Sequence, residues 1–144
     1  MKTPTIRLTL IVVVSFLLLY VSGAIPETGK PPDPAAAKRG QALYIRYCVV
    51  CHAENGVGEP PIPWSIRRPD YYIAPALDDS QHAWHHSDED LVNFIFSGSS
   101  RTNRMPAFQE ALTEREAQDL VAYMKSLWGE RALECQGPKH MACM

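Results

Sequence analysis

The sequence predicts an all-α domain built from a few helices and long loops. Three observations predict it. Apolar residues recur at helical spacing in three separate stretches, two of which open on a capping residue followed by acidic side chains. No stretch alternates apolar and polar residues as a half-buried strand would. Two stretches rich in Pro, Gly, Asp or Ser separate the helices and show no period. A length of 144 residues favours one domain, and 46% hydrophobic with 21% charged residues is an ordinary globular balance.

Taken in order, Lys2 and Arg7 precede an apolar run over residues 8–21, broken only by Thr9 and Ser15. Ser22-Gly23-Ala24 follows as a small-residue cleavage site. Residues 1–24 therefore read as a signal peptide or an N-terminal membrane anchor. Uncleaved, residues 8–25 would reach about 27 Å as a helix, close to the thickness of a bilayer core. Either way the basic residues stay inside. The rest of the chain is expected in the periplasm, or at the outer face of the cytoplasmic membrane. Residues 25–34 read as a Pro-rich tether, since the four prolines within 25–37 oppose a stable helix.

The folded domain is expected over residues 35–129. A first helix over 36–47 places Leu43, Tyr44 and Tyr47 on one side. Gly40 within it weakens the helix by about 1 kcal/mol relative to Ala, which points to a close helix contact. Residues 54–80 form a long irregular loop with room for a helical turn, and a loop of that length asks for a function. Ser87 caps a middle helix with Asp88, Glu89 and Asp90 in its first turn. Leu91, Phe94 and Ile95 point inward, and Gly98 ends it. After a loop over 99–109, Thr113 and Glu116 make a capping box. The last helix carries Ala117, Leu120, Val121, Met124, Leu127 and Trp128 at helical spacing and stops at Gly129. About 95 residues with so much loop supply little core, so something besides side chains is expected to fill the middle.

The formal charge is −2, and without Lys2 and Arg7 it becomes −4, with 12 basic against 16 acidic side chains. Such a balance lacks the electrostatic footprint of a nucleic-acid binder. Four cysteines are too few for a disulfide scaffold.

Two of them carry the chemistry. Cys48-Val49-Val50-Cys51-His52 is C-x-x-C-H, the attachment motif of c-type haem. Each thiol adds to one haem vinyl group, and His52 follows at once as the proximal iron ligand. A thioredoxin-like pair would need a βαβ setting, and a zinc site a second ligand pair nearby. One covalent haem c is the expected cofactor. Met105 in Arg104-Met105-Pro106-Ala107-Phe108 is the candidate sixth ligand. Pro106 biases Met105 away from the helical region, onto an extended strap. A thioether there raises the reduction potential and closes the iron to small ligands.

These residues resemble the class I c-type cytochromes of the small bacterial type, over about residues 35–129. Gly40 and Tyr44 match that family's first helix. Cys48, Cys51 and His52 match its haem motif, Met105 its axial methionine, and Leu120 with Tyr123 the last-helix pair that crosses the first helix. The resemblance implies a helical fold wrapped round one haem, with electron transfer as the function. It also aligns Pro61 with the proline whose carbonyl holds the histidine Nδ1.

Other residues are candidates for smaller roles. His82, His85 and His86 are alternative iron ligands or surface and capping residues. Arg67, Arg68, Arg101 and Arg104 suit haem propionates or solvent. Trp64, Tyr71, Tyr72 and Trp84 suit the haem edge or plain packing. The tail over 130–144 carries Cys135, His140, Met141, Cys143 and Met144. These are soft ligands for copper(I), or else Cys135 and Cys143 close a disulfide.

The expected function is that of a mono-haem electron carrier, not an enzyme, working between exported or membrane-bound redox partners. The alternatives are a cytochrome subunit of a larger oxidase or dehydrogenase, and a copper-handling or redox-sensing protein acting through the tail. An open-iron peroxidase or reductase is disfavoured by the single C-x-x-C-H and the distal Met.

Overall fold

A computed structural model describes residues 28–68 and 71–143. The expected signal or anchor over 1–24 lies outside the described residues. Among those described there is no strand, and no helix is long and apolar enough to cross a membrane.

Helix α1 spans Pro34–Tyr47. Asp33 caps it by accepting from the N–H groups of Ala35 and Ala36, and Pro34 occupies the first turn. The prolines of 25–37 therefore do not keep the whole segment out of a helix. A proline at the first helical position has no hydrogen bond to lose and a φ already suited to the turn. The first described residues of the tether are tied to the body. Gly29 N–H donates to Gln136 Oε1 at 2.9 Å, and Thr28 Oγ1 accepts from Asp88 N–H at 3.1 Å.

The short helix α2, Val49–His52, follows α1 with only Cys48 between them. The loop that follows contains single turns of 3-10 helix at Glu54–Gly56 and Trp64–Ile66. A third such turn, Ala83–His85, leads to α3, Asp88–Ser97. Ser87 and Asp90 form a reciprocal capping box there, and Gly98 ends the helix at φ 69°. Leu91 and Ile95 are buried as expected, but Phe94 is 45% exposed. Val92 and Phe96 pack against the core instead. Helix α4, Glu114–Ser126, opens on the Thr113–Glu116 capping box. It ends at Leu127 rather than Gly129, which instead caps the short helix α5, Glu130–Glu134. Gly129 N–H donates to Asp79 Oδ2 at 2.8 Å.

Helices α1 and α4 make the main crossing. An ideal Cβ on Gly40 would fall 1.8 Å from the Asp119 carbonyl oxygen. Arg39 clamps the same spot with a bidentate pair to Asp119, both bonds 2.7 Å. Beside it Tyr44 and Tyr123 meet with ring centroids 4.9 Å apart. Ala117, Leu120, Val121, Met124 and Trp128 complete the buried face of the last helix. Gly40→Ala should cost about 3 kcal/mol or more, because the helices must separate rather than repack. A denaturant midpoint unchanged in the haem-loaded variant would contradict that crossing.

Beyond α4 the tail folds back on the body. Gln136 is fully buried, and its Nε2 donates to His86 O at 3.1 Å and Asp88 Oδ1 at 2.6 Å. Asp88 also receives the buried Lys125 Nζ at 2.9 Å. Cys135 and Cys143 form a disulfide. That pairing withdraws both thiols from copper, and among the described residues no three His, Cys, Asp or Glu side chains are arranged to hold a metal ion.

Candidate functional site

The site is built around a sharp reversal after α2. His52 closes that helix, and Ala53, Asn55, Gly56 and Gly58 follow with φ of 58°, 57°, 70° and 74°. Four left-handed residues within six turn the chain back across the histidine. Gly58 N–H donates to His52 O at 2.8 Å, and Tyr44 reaches from α1 to donate its hydroxyl to Ala53 O at 2.7 Å.

The returning end of the long loop then lies alongside. Leu77 N–H donates to Gly56 O at 2.6 Å, and Glu59 N–H to Ala74 O at 3.0 Å. Gly58 permits this approach, since a Cβ there would sit 2.6 Å from Ala76 N and 2.7 Å from the Pro75 carbonyl carbon. Trp128 ties the same strand of chain to the core by donating Nε1–H to Leu77 O at 2.8 Å.

This pairing delivers the Pro75 carbonyl to His52 Nδ1 at 2.9 Å. The partner expected by alignment, Pro61, does not occupy that place. The loop makes an excursion of more than a dozen residues first, and only its return runs beside Gly56 and Gly58. Pro75 is the site residue that sequence reasoning missed; it lies 23 residues from His52 with no motif around it. Nδ1 carries the proton it donates to Pro75, so Nε2 is the unprotonated nitrogen. Burial lowers the His52 pKa against the Pro75 bond and the Glu59 charge, which keeps the ring neutral. His52 is only 8% exposed.

Cys48, which caps α2, and Cys51 within it sit one turn apart, both half-buried and neither in a disulfide. Burial, followed by the neighbouring Cys51, pushes the Cys48 thiol up to about 11. The donor set therefore fits haem c: two thiols at the right spacing and a neutral histidine with an oriented ring. The surroundings fit too. Among the described residues, six of the eight large hydrophobic side chains left exposed lie between positions 45 and 72, flanking the motif: Ile45, Val50, Val57, Trp64, Ile66 and Tyr72.

Met105 is half-buried on the strap after α3. Its carbonyl accepts from Ser99 N–H at 3.1 Å, and Gly98 lets it approach, since a Cβ there would lie 2.6 Å from that oxygen. The strap joins the motif loop through its neighbour. Arg104 donates Nη1–H to Glu59 Oε2 at 2.7 Å and Nη2–H to Glu59 Oε1 at 2.6 Å. The Arg104 guanidinium first, and then the Ala74 N–H, hold the Glu59 carboxyl down at about 2. Farther along, Phe108 meets Tyr47 of α1 edge-on at 5.9 Å.

The remaining candidates sort out by their contacts. His82, His85 and His86 gather with one another and with the tail, where His85 stacks on His140 at 4.5 Å. Burial and the neighbouring histidines lower His85 and His86. Trp84 packs against His85, and Tyr71 lies under the Arg104 guanidinium. Trp64, Arg67, Arg68 and Arg101 are exposed.

The profile of the family described as cytochrome c oxidase, cbb3-type, subunit III matches residues 35–124. The cbb3-type cytochrome c oxidase subunit CcoP of Azospirillum brasilense is 29% identical over 97 residues. That stretch is 67% of this chain and 30% of the relative. A quinohemoprotein alcohol dehydrogenase of Comamonas testosteroni is 29% identical over 93 residues, 65% of this chain and 11% of the relative. The chain thus spans under a third of the length of these curated relatives.

Proposed function

The chain belongs to the cbb3-type cytochrome c oxidase subunit III family, a c-type cytochrome domain with covalent haem c, and from that membership we propose that it works as a mono-haem electron carrier. The observation that carries this reading is the His52 Nδ1 bond to Pro75 O at 2.9 Å, beside two thiols in C-x-x-C-H spacing. It leaves Nε2 unprotonated and held in place, the nitrogen that would bind the haem iron. Haem c supplies a one-electron couple when bound.

The residues of the chain set the conditions for that couple. Cys48 and Cys51 anchor it. The Pro75 carbonyl orients the His52 ring and raises its basicity. Met105 would be the second protein ligand to the haem iron and would close it to small ligands, so the domain would work as a carrier and not an enzyme. The donors and acceptors are other redox proteins outside the cytoplasm. Residues 1–24 direct the chain there, and residues 8–25 hold it at the membrane if uncleaved.

A second reading, a cytochrome subunit within a larger complex, is favoured by the relatives. One is an oxidase subunit and the other a dehydrogenase, and this chain matches only a fraction of each. The axial chemistry is the same in both readings.

Redox titration of the purified chain tests the proposal. A single one-electron transition is expected, low-spin in both states, with no carbon monoxide binding to the reduced protein. A high-spin reduced state that binds carbon monoxide would replace the carrier with an open-iron enzyme.

A further inference from the structure

Glu59 is joined to two separate pieces of chain. Its own N–H donates to Ala74 O at 3.0 Å, and its Oε2 accepts Ala74 N–H at 2.7 Å. Ala74 precedes Pro75, which holds His52. Both carboxylate oxygens then accept the Arg104 fork, at 2.7 and 2.6 Å. Arg104 precedes Met105. The guanidinium also donates to Tyr72 O at 2.8 Å and lies over the Tyr71 ring at 4.5 Å from its centroid. One carboxylate thus fixes the residue before the histidine's partner and the residue before the methionine.

We propose that Arg104 and Glu59 are positioning residues, forming a clamp that holds the Met105 strap in register with the Pro75–His52 side of the haem site. This rests on the reading of Met105 as the sixth ligand. The geometry needs arginine at 104: four contacts converge on one planar fork, and a lysine offers neither the bidentate pair nor the flat face. Arg104 and Glu59 keep 33% and 26% of their side-chain surface exposed. An isolated pair that open to solvent adds little to global stability. The clamp therefore acts on the strap, while the α1–α4 crossing, which it does not touch, carries the fold.

The test uses the haem-loaded full chain and five variants: Arg104→Gln, Glu59→Gln, these two combined, Arg104→Lys and Met105→Ala. The readouts are the sulfur-to-iron charge-transfer band of the oxidised protein and the rate of cyanide binding. Cyanide binding requires the thioether to leave. Arg104→Gln and Glu59→Gln should each speed it about tenfold or more, as loss of a charged hydrogen bond would. The doubly substituted chain should be no faster than either single one, because the two act as one unit. Arg104→Lys should fall between. The far-UV melt should move little in all of them.

Wild-type cyanide rates in both Gln variants, with Met105→Ala still losing the band, would overturn the clamp alone. An unchanged band in Met105→Ala would remove the ligand and the clamp with it. If Arg104→Gln fails to load haem, Glu59→Gln and Arg104→Lys decide by the same two readouts.

Discussion

A chain with Cys48 and Cys51 both changed to Ala is expected to lose covalent haem and, with it, a cooperative fold. The side-chain core centres on the α1–α4 crossing, with Tyr44, Leu120 and Val121 among the few large side chains that are fully buried. From Ala53 to His86 the described chain has only isolated 3-10 turns, and its order depends on backbone bonds back to Gly56 and on the Pro75 contact with His52. Val57, Trp64, Ile66 and Tyr72 expose between 43% and 86% of their surface along that stretch. Burying each such side chain against an apolar group stabilises by roughly 1.5–3 kcal/mol. Were several of these side chains covered by the haem, its loss would remove an amount comparable to the whole stability of a typical domain, about 5–15 kcal/mol. The double variant should show a broad, low-temperature melt by circular dichroism and no covalent haem by mass spectrometry. Single variants keep one thioether and should fall between. A sharp, helical melt of the haem-free double variant would show that the helices alone suffice.

The same dependence explains which parts of the molecule could be read from the sequence. The helices announce themselves locally. Thr113 with Glu116, and Ser87 followed by three acids, mark two starts by hydrogen bonds made within three residues. Gly40 is readable because nothing larger fits where it lies, against the Asp119 carbonyl. The haem motif is local as well, five consecutive residues. What could not be read are partnerships between distant residues that carry no pattern of their own. Pro75 looks like any loop proline until the left-handed run after His52 brings it back. Lys125 looks like a surface residue of an amphipathic helix, yet it is 1% exposed and paired with Asp88. Asp88 in turn looks like a dipole-favoured first-turn acid, and it holds Gln136 of the tail. Phe94 is the opposite case. Its spacing put it on the inner face, but the helix is rotated so that Val92 and Phe96 flank the core and Phe94 meets the His86 edge at 5.0 Å.

Met105→Ala should leave the fold in place and change the redox chemistry. Met105 is half-buried on a strap whose backbone is held without its side chain, by Ser99 N–H on its carbonyl and by the Arg104 fork on Glu59. Under the proposed ligation, truncation therefore removes a ligand and little else. Sulfur is a soft donor and favours the ferrous state, so its replacement by water or by a nitrogen favours the ferric state. The midpoint potential should fall by roughly 0.2 V or more, a fraction of the ~0.8 V over which axial ligands tune haem proteins. The charge-transfer band should vanish, and the reduced variant should bind carbon monoxide. Capture by a histidine would instead keep the iron low-spin. His82, His85 and His86 are the sequence candidates for that role, but their rings are engaged with one another, with Trp84 and Phe94, and with His140 of the tail. Capture would have to break that stack, so water is the expected replacement and the spin state should rise. Titration of the variant beside the wild type separates the outcomes. A lower potential with high-spin ferric iron assigns Met105 as the ligand. A lower potential with low-spin iron assigns it too, and shows that the histidine cluster can be drawn away from the tail. An unchanged potential and spectrum would remove Met105 from the site and leave a bis-histidine centre as the arrangement to test next.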